Sequence, residues 1–253
     1  MAYTTIDDPS AYFQIALYTG NDSSNAITND GNSDLQPDWL WTKNRSSSAD
    51  HKIFDSTRGV TKFLESNTND AEGTQANLLS SFNSDGFTLG AGGETNSSST
   101  NYVAWQWKAN GGSRTTFTES GNNPAGGHQA NTTAGFSIVD YTGTGSAGTV
   151  SHGLGAVPHL IIVKRRNSSD SWRVYHKDLG LNGSYPNFLQ LDLQDANESG
   201  DSGNFTATPS STVFSIGNYS VLNTDGSTYI AYAFTEKQGY SKFGSYTGNG
   251  NAD

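Results

Sequence analysis

The chain has 253 residues, no cysteine, and a net charge of −10 from 24 acidic and 14 basic side chains. This balance disfavours nucleic-acid binding, because a phosphate backbone requires clustered Lys and Arg to displace its counterions. The lack of cysteine excludes a disulfide framework and a thiolate metal site. No apolar run reaches membrane-spanning length and the N-terminus has no signal-peptide pattern, so we expect neither membrane insertion nor signal-directed export.

The predicted strands occur twice, in the same order along the chain. The tripeptide Tyr-Thr-Gly ends an alternating, strand-like run at residues 18–20 and again at residues 141–143. The matched blocks are residues 13–20 with 136–143, 37–43 with 158–164, 51–59 with 172–180, 87–90 with 214–217, and 96–107 with 223–234. This order indicates an internal duplication. Short runs of β-branched and aromatic residues between turn residues predict an all-β fold of two tandem, jelly-roll-like β-sandwich repeats, at 1–110 and 135–245.

Two pairs of tryptophans lie on predicted strands of the first copy. Trp39 and Trp41 share one strand face, and so do Trp105 and Trp107, because residues two apart in a strand point to the same side. We favour an interpretation as core residues, since the second copy keeps apolar side chains at the matched positions. The alternative is a platform of exposed rings that stacks against sugars.

Two segments lack a clear strand pattern. Residues 70–82 have partial helical spacing, although Gly73 weakens it, and we expect a turn or two of helix there at most. Residues 111–134, between the two copies, are rich in Gly and Asn. They predict a linker or long surface loop that permits relative movement of the two halves.

Residues 143–148 fit the G-x-G-x-x-G pattern of dinucleotide-binding loops. That function requires a helix to begin at the third glycine, so that the helix N-terminal amides face the pyrophosphate. The residues that follow, 149–155, have no helical pattern. We therefore predict a glycine-rich hairpin loop instead.

Two further motifs overlap between residues 195 and 206. Residues 200–203 read Gly-Asp-Ser-Gly, as around a serine-protease nucleophile, but no histidine has a catalytic context, so we predict a surface turn. Alternating oxygen-bearing side chains resemble the first half of a calcium-binding loop, at Asp195, Asn197, Ser199 and Asp201. Thr206 replaces the bidentate acid of the twelfth position, so we favour a solvated loop and keep calcium as the alternative.

No other pattern predicts chemistry. The five histidines have no spacing typical of a metal site. Many acidic residues are present, but the sequence selects no pair for glycoside hydrolysis. We therefore expect a non-enzymatic protein that has no catalytic residues and, calcium apart, no cofactor.

A third Tyr-Thr-Gly occurs at residues 246–248, close to the end of the chain at Asp253. It has the pattern of the start of a third, truncated copy, over residues 246–253. Either the chain is a fragment of a longer protein, or this terminal strand docks onto a neighbouring domain or subunit.

Blocks at residues 18–20, 37–43, 85–87, 102–109 and 239–248 together resemble a family of repeat-containing proteins of marine bacteriophages, including phages that infect cyanobacteria. The resemblance covers nearly the whole chain, and members of that family are usually labelled tail-fibre or virion structural proteins. It implies synthesis in the host cytoplasm and a location on the virion exterior, on the tail or the capsid. It implies no catalytic residues.

The leading functional hypothesis is a tail-fibre or receptor-binding component that recognises a host-surface glycan or protein through polar loops. One alternative is a capsid or tail decoration protein with purely structural contacts, and another is a polysaccharide depolymerase. We expect other virion proteins as partners. We also expect a homo-oligomer, with a trimer as the expectation for a fibre.

Overall fold

The computed structural model describes residues 4–250, and the prediction of an all-β fold is confirmed. The strands up to the middle of the chain are β1 (Phe13–Thr19), β2 (Asn25–Ile27), β3 (Trp39–Asn44), β4 (Lys52–Asp55), β5 (Lys62–Phe63), β6 (Gly73–Thr74), β7 (Leu79–Phe82), β8 (Phe87–Leu89), β9 (Asn101–Trp107), β10 (Thr115–Phe117) and β11 (Gly126–Asn131). The later strands are β12 (Phe136–Thr142), β13 (Gly148–Ser151), β14 (Leu160–Arg165), β15 (Arg173–His176), β16 (Leu181–Asn182), β17 (Tyr185–Pro186), β18 (Phe188–Leu189), β19 (Val213–Ile216) and β20 (Thr228–Phe234). Helical structure within residues 4–250 is limited to a 3₁₀ turn (Pro9–Ala11), α1 (Gly93–Asn96) and α2 (Ser220–Asn223). None of these helices is long and apolar enough to cross a membrane.

In the first half, residues 4–110, two antiparallel sheets enclose a core, and β5 and β6 form a separate short pair. Strands β1, β9, β3 and β4 pair in that order, and β2, β8 and β7 form the facing sheet. Side chains of β1 alternate between the two faces of its sheet: Ala16 and Tyr18 are buried in the core, whereas Ile15 and Leu17 on the other face are exposed. The core between the sheets contains Ala16, Tyr18, Leu40, Phe54, Leu78, Leu79, Phe87, Leu89, Tyr102 and Ala104.

The second half, residues 135–245, has the same order of strand pairing. Strands β12, β20, β14 and β15 are neighbours in that order, and β13 pairs with β19. The registers also correspond, since Phe13 opposes Trp107 in the first half and Phe136 opposes Phe234 in the second. The matched blocks of the sequence therefore lie on corresponding elements of the structure.

The two larger sheets pack against each other through a third, central core. It joins residues of both halves: Trp39, Ile53, Leu64, Ala109, Phe136, Ile138, Ile162, Trp172, Val174, Ile230, Tyr232 and Phe234. Polar contacts reinforce this interface, because Arg166 donates to both carboxylate oxygens of Glu72, at 2.7 and 2.9 Å, and the buried Arg58 also contacts Glu72. A shared core of this kind opposes the relative movement of the halves that a flexible linker would permit.

The segment predicted as a linker or long loop, residues 111–134, instead contains β10 and β11. Strand β11 pairs with β12, and β10 pairs with β11, so that the second large sheet gains two strands. The start of the segment is anchored by Asp38, whose carboxylate accepts N–H bonds from Ala109, Gly111 and Gly112 at 2.7 to 3.0 Å. The linker prediction was wrong because strand formation here depends on the neighbouring edge of β12 rather than on local strand propensity.

Residues 70–82, the best helical candidate of the sequence, contain no helix. The segment contains β6 and β7, and Leu78 and Leu79 are fully buried in the core of the first half. Gly73 lies against the ring of Phe63, where an added Cβ would come within 2.2 Å of a ring carbon. Burial between two sheets therefore outweighed the partial helical spacing of the segment.

Candidate functional site

An aromatic cleft of about 410 Å³ lies between the two larger sheets. We use this name for the pocket whose ring-bearing walls include Phe13, Trp39, Trp41, Trp107, Phe234 and Phe243. The first half supplies the tryptophans, the second half supplies Phe234, and Phe243 belongs to the segment that follows β20. The site therefore exists only because the halves pack together.

The tryptophans reach the cleft because of strand alternation. On β3, Trp39 and Trp41 point to the central core, whereas Leu40 between them points to the core of the first half. Trp107 on β9 is directly opposite Trp39, and their ring centroids are 4.5 Å apart. Trp39 is 1% exposed, so the core interpretation holds for it. Trp41 and Trp107 are only half-buried and present part of each ring to the cleft.

The opposite wall comes from the second half. Phe136 and Phe234 are paired across β12 and β20, with ring centroids 4.8 Å apart. Phe234 also meets Trp107 edge-on at 6.3 Å, which connects the two walls. Leu160 and Ile162 on β14 complete this side. The positions that match the tryptophans of the first half are thus part of the same cleft.

The segment that follows β20 covers one side of the cleft. Phe243 packs against Phe234 at 6.0 Å, and its N–H donates to Oε1 of Glu236 at 3.1 Å. Tyr240 meets Tyr12 edge-on at 6.3 Å. Burial, together with the neighbouring Tyr12, raises the pKa of Tyr240 to about 12. Its hydroxyl therefore stays protonated and can both donate and accept a hydrogen bond at the rim.

The rim of the cleft is polar, although the walls are not. Among the described residues that line the cleft, Lys242 is the only charged one, and it is exposed. A second, polar hollow of about 730 Å³ adjoins the cleft and shares Tyr240, Ser241 and Lys242 with it. An apolar floor with a few hydroxyl groups and one cation at its edge suits a ligand that has both an apolar face and hydroxyl groups.

The residues of the cleft were only partly identified from the sequence. The tryptophans were singled out, but Phe243 and Tyr240 were missed. One signal could have found Phe243: it precedes the Tyr-Thr-Gly of residues 246–248 by the same spacing as Ile15 and Ile138 precede theirs. Residues 246–250 form no strand, and Tyr246 is 95% exposed; residues 251–253 of the predicted third copy lie outside the described residues.

The candidate calcium loop lies away from the cleft. Asp195, Asn197 and Ser199 are exposed, whereas Asp201 is half-buried. Oδ1 of Asp201 accepts N–H bonds from Gly203 at 2.8 Å and Asn204 at 3.1 Å, which closes a local turn. Within residues 4–250, no group of three or more His, Asp or Glu side chains is arranged to hold a metal ion. The calcium site stays a prediction.

The other two motifs lie on connecting segments. Strand β13 begins at the third glycine of residues 143–148, where a dinucleotide-binding loop would begin a helix. The segment is not a hairpin, because β13 pairs with β19 rather than with β12. In the Gly-Asp-Ser-Gly motif, Ser202 is exposed, and no hydrogen bond among the described residues joins it to a histidine.

The chain belongs to the family described as a domain of unknown function (DUF7483), whose profile matches residues 8–253. The match includes both halves and the segment that covers the cleft. No curated protein and no solved structure matches the chain significantly.

Proposed function

We propose that the protein is a non-enzymatic receptor-binding component of a bacteriophage virion, of the tail-fibre type, which holds a host-surface glycan in the aromatic cleft. The aromatic cleft is the observation that carries this proposal. Its volume of about 410 Å³ is in the range of small-ligand sites, and its walls are apolar with a few polar groups at the rim. Sugar rings present apolar C–H faces that stack on aromatic rings, while their hydroxyl groups bond to polar rim atoms.

The charge of the site defines the class of glycan. Lys242 is the one charged side chain among the described lining residues, and the chain as a whole carries a net charge of −10. A polyanionic saccharide would be repelled by that net charge. A neutral saccharide, or one with a single acidic group near Lys242, fits better.

The virion part of the proposal depends on the resemblance to phage proteins and on the architecture. We propose that the two halves are tandem jelly-roll-like sandwiches. In each half, the first and last strands are neighbours inside one sheet, and the second strand and the strand before the helical turn are neighbours in the other. Other virion proteins would be its partners, and the shared central core would keep the module rigid on the particle.

Glycan binding can be measured with the intrinsic fluorescence of the tryptophans during titration with host envelope polysaccharide. We expect Phe243→Ala and Trp41→Ala each to weaken binding roughly 3- to 10-fold, because each removes one stacking surface. Phe243→Ala is the more informative variant, since Phe243 lies outside the strands and its loss should leave the thermal unfolding of the chain nearly unchanged.

Tyr219→Ala is the matched control, because Tyr219 is an aromatic residue that is 50% exposed and does not line the cleft. It should bind as the unsubstituted chain does. If no host polysaccharide binds, or if all three variants bind equally well, the cleft is not a glycan site.

The location on the particle is tested separately by immunogold electron microscopy of intact phage, with antibody against the chain. Gold at the fibre tips supports host recognition. Gold over the capsid would favour the alternative, a decoration protein with structural contacts, for which the edge of β1 that no strand within residues 4–250 pairs with is the specific observation. Particles without label would contradict the virion assignment.

A further inference from the structure

The outer edges of β1 and β12 differ, although these strands correspond. Strand β12 has β20 on one side and β11 on the other, whereas β1 has β9 on one side and no strand on the other within the described residues. A bare edge strand presents a row of free N–H and C=O groups, which proteins normally protect with charges, prolines or covering segments. None of the seven residues of β1 is charged or a proline.

The free backbone groups of β1 can be identified from its pairing. The N–H of Lys108 bonds to the carbonyl of Tyr12, and the N–H of Gly20 bonds to that of Thr100, so the even-numbered residues of β1 bond to β9. The backbone groups of Ile15 and Leu17 point the other way, and no backbone bond to them is found among residues 4–250. The matching groups on Ile138 and Asp140 are paired with β11.

An apolar patch adjoins this edge. Ile15 is 49% exposed and Leu17 is 65% exposed. Their cross-strand neighbours on β9, Trp105 and Val103, are also only half-buried. The second half lies over the β3 and β4 side of the sheet, where Trp39 and Ile53 are buried, and leaves Ile15 and Leu17 of β1 exposed. In the second half, the residue that matches Leu17 is the charged Asp140.

We propose that β1 pairs with β1 of a second copy of this chain, antiparallel and across a two-fold axis at Ala16, so that two four-stranded sheets join edge to edge. This proposal does not rest on glycan binding or on a virion location. A two-fold contact uses the same surface of both copies and closes as a dimer. It therefore differs from the trimer expected for a fibre.

The sequence of β1 is self-complementary in this register. The free backbone groups of Ile15 meet those of Leu17 of the second copy, and the reverse pair forms by symmetry. The two exposed aliphatic side chains of each copy then cover those of the other. Ala16 lies opposite itself at the closely spaced pair, where a small side chain fits. Because β1 is uncharged, no like charges are brought together.

The contact is tested by sedimentation velocity and light scattering on the full chain over a range of concentrations. We expect the unsubstituted chain to dimerise. Ile15→Lys and Leu17→Lys should each raise the dissociation constant at least about tenfold, because a charged side chain at an edge opposes strand pairing. Ile15 is 49% exposed and Leu17 is 65% exposed, so a lysine at either position can extend into solvent. Thermal unfolding should confirm that both variants fold. Leu181→Lys, at a site that is 53% exposed and distant from β1 in the chain, should leave the dimer intact.

The register is tested by mixing variants. In the proposed pairing, residue 15 of one copy faces residue 17 of the other, so Ile15→Lys mixed with Leu17→Glu should recover dimers, whereas Ile15→Lys mixed with Ile15→Glu should recover fewer. A chain that is monomeric at every concentration would overturn the proposal and leave the edge to a strand of a different protein. A dimer that survives both lysine substitutions would also overturn it.

Discussion

The two halves of the molecule use the same residues for their internal structure but different residues at their surfaces. In the first half, Tyr18 stacks on Tyr102 with ring centroids 5.1 Å apart, and in the second half Tyr141 stacks on Tyr229 at 4.9 Å. The hydroxyl of the first tyrosine of each pair donates to a carbonyl of the helical turn, that of Thr95 or of Leu222. The repeated Tyr-Thr-Gly signature is therefore structural, and neither Tyr18 nor Tyr141 lines the aromatic cleft.

The same comparison explains the buried asparagine and the glycine of the repeated pattern. Asn96 and Asn223, both fully buried, end the helical turns α1 and α2 and bond to the loop after the first strand. Gly20 and Gly143 approach the backbone after each turn, where an added Cβ would lie 2.1 or 2.3 Å from a carbonyl oxygen. The halves differ in three other places: the walls of the cleft, the edge of the first strand and the connecting loops.

The largest expected effect comes from breaking the core that the halves share. Trp39→Ala removes the ring that contacts both Trp107 at 4.5 Å and Tyr232 at 4.6 Å. We expect the free energy of unfolding to fall by about 3–5 kcal/mol, as for other large-to-small changes in a core. Because the central core joins the halves, urea unfolding followed by fluorescence and circular dichroism should stay a single transition.

Leu193→Ala is the control for that change, since Leu193 is 46% exposed and its loss should alter stability by no more than about 0.5 kcal/mol. Two separate transitions in the Trp39→Ala variant, with the second unchanged from the unsubstituted chain, would show that the halves fold independently.

A smaller, pH-dependent effect is expected from His152 in the second half. Burial lowers the pKa of His152 to about 4, and its neutral ring accepts the N–H of Leu154 and contacts the carbonyl of Ser210. In the first half Asn29 occupies the corresponding place, because Ile27 opposes Phe87 as Val150 opposes Phe214. Since the folded pKa is below the usual 6.5, the stabilisation is complete above pH 6.5 and is lost as the pH falls towards 4. The loss is at most about 3 kcal/mol.

The measurement is the free energy of unfolding of the unsubstituted chain and of His152→Gln across that pH range. Burial also lowers the pKa of His51 and His128, so both proteins should lose stability on acidification. The variant should lose less. Identical pH profiles would show that His152 does not titrate in the folded state as expected here.

The smallest expected loss of stability comes from removing the hydroxyl groups of the two matched tyrosines. Tyr18→Phe and Tyr141→Phe should each lower the free energy of unfolding by about 1 kcal/mol, because each removes one buried hydrogen bond. Chemical denaturation of both variants should give similar losses. Tyr246→Phe carries the same change in the third Tyr-Thr-Gly, at a residue that is 95% exposed, and should have no effect. A loss in only one of the two buried variants would mean that the motif does not have the same role in both halves.

Much of each half could be predicted from the sequence, because the signals are local. The two-residue period of a strand placed Tyr18 on one face of β1 and Ile15 on the other, and turn residues marked the strand ends. Only the structure shows that the face of Tyr18 is the buried one. Local signals failed where distant neighbours decide the structure. Strands β10 and β11 form at the edge of β12, and Leu78, in a turn, and Leu79, at the start of β7, are buried because two sheets enclose them. The same applies to the cleft, whose walls come from segments far apart in the chain.

The sequence by itself determined the β class, the order of matched blocks and the faces of the tryptophans, since these depend on composition and on a period of two residues. Only the tertiary structure decided that the two large sheets share a core and that Trp41 and Trp107 remain half-exposed in a cleft while Trp39 is buried. It also decided that, among the described strands, β1 has a free edge where β12 does not. The physical reason is that strand pairing and sheet packing are long-range interactions. A strand's sequence specifies which of its faces is apolar, but not what will cover that face.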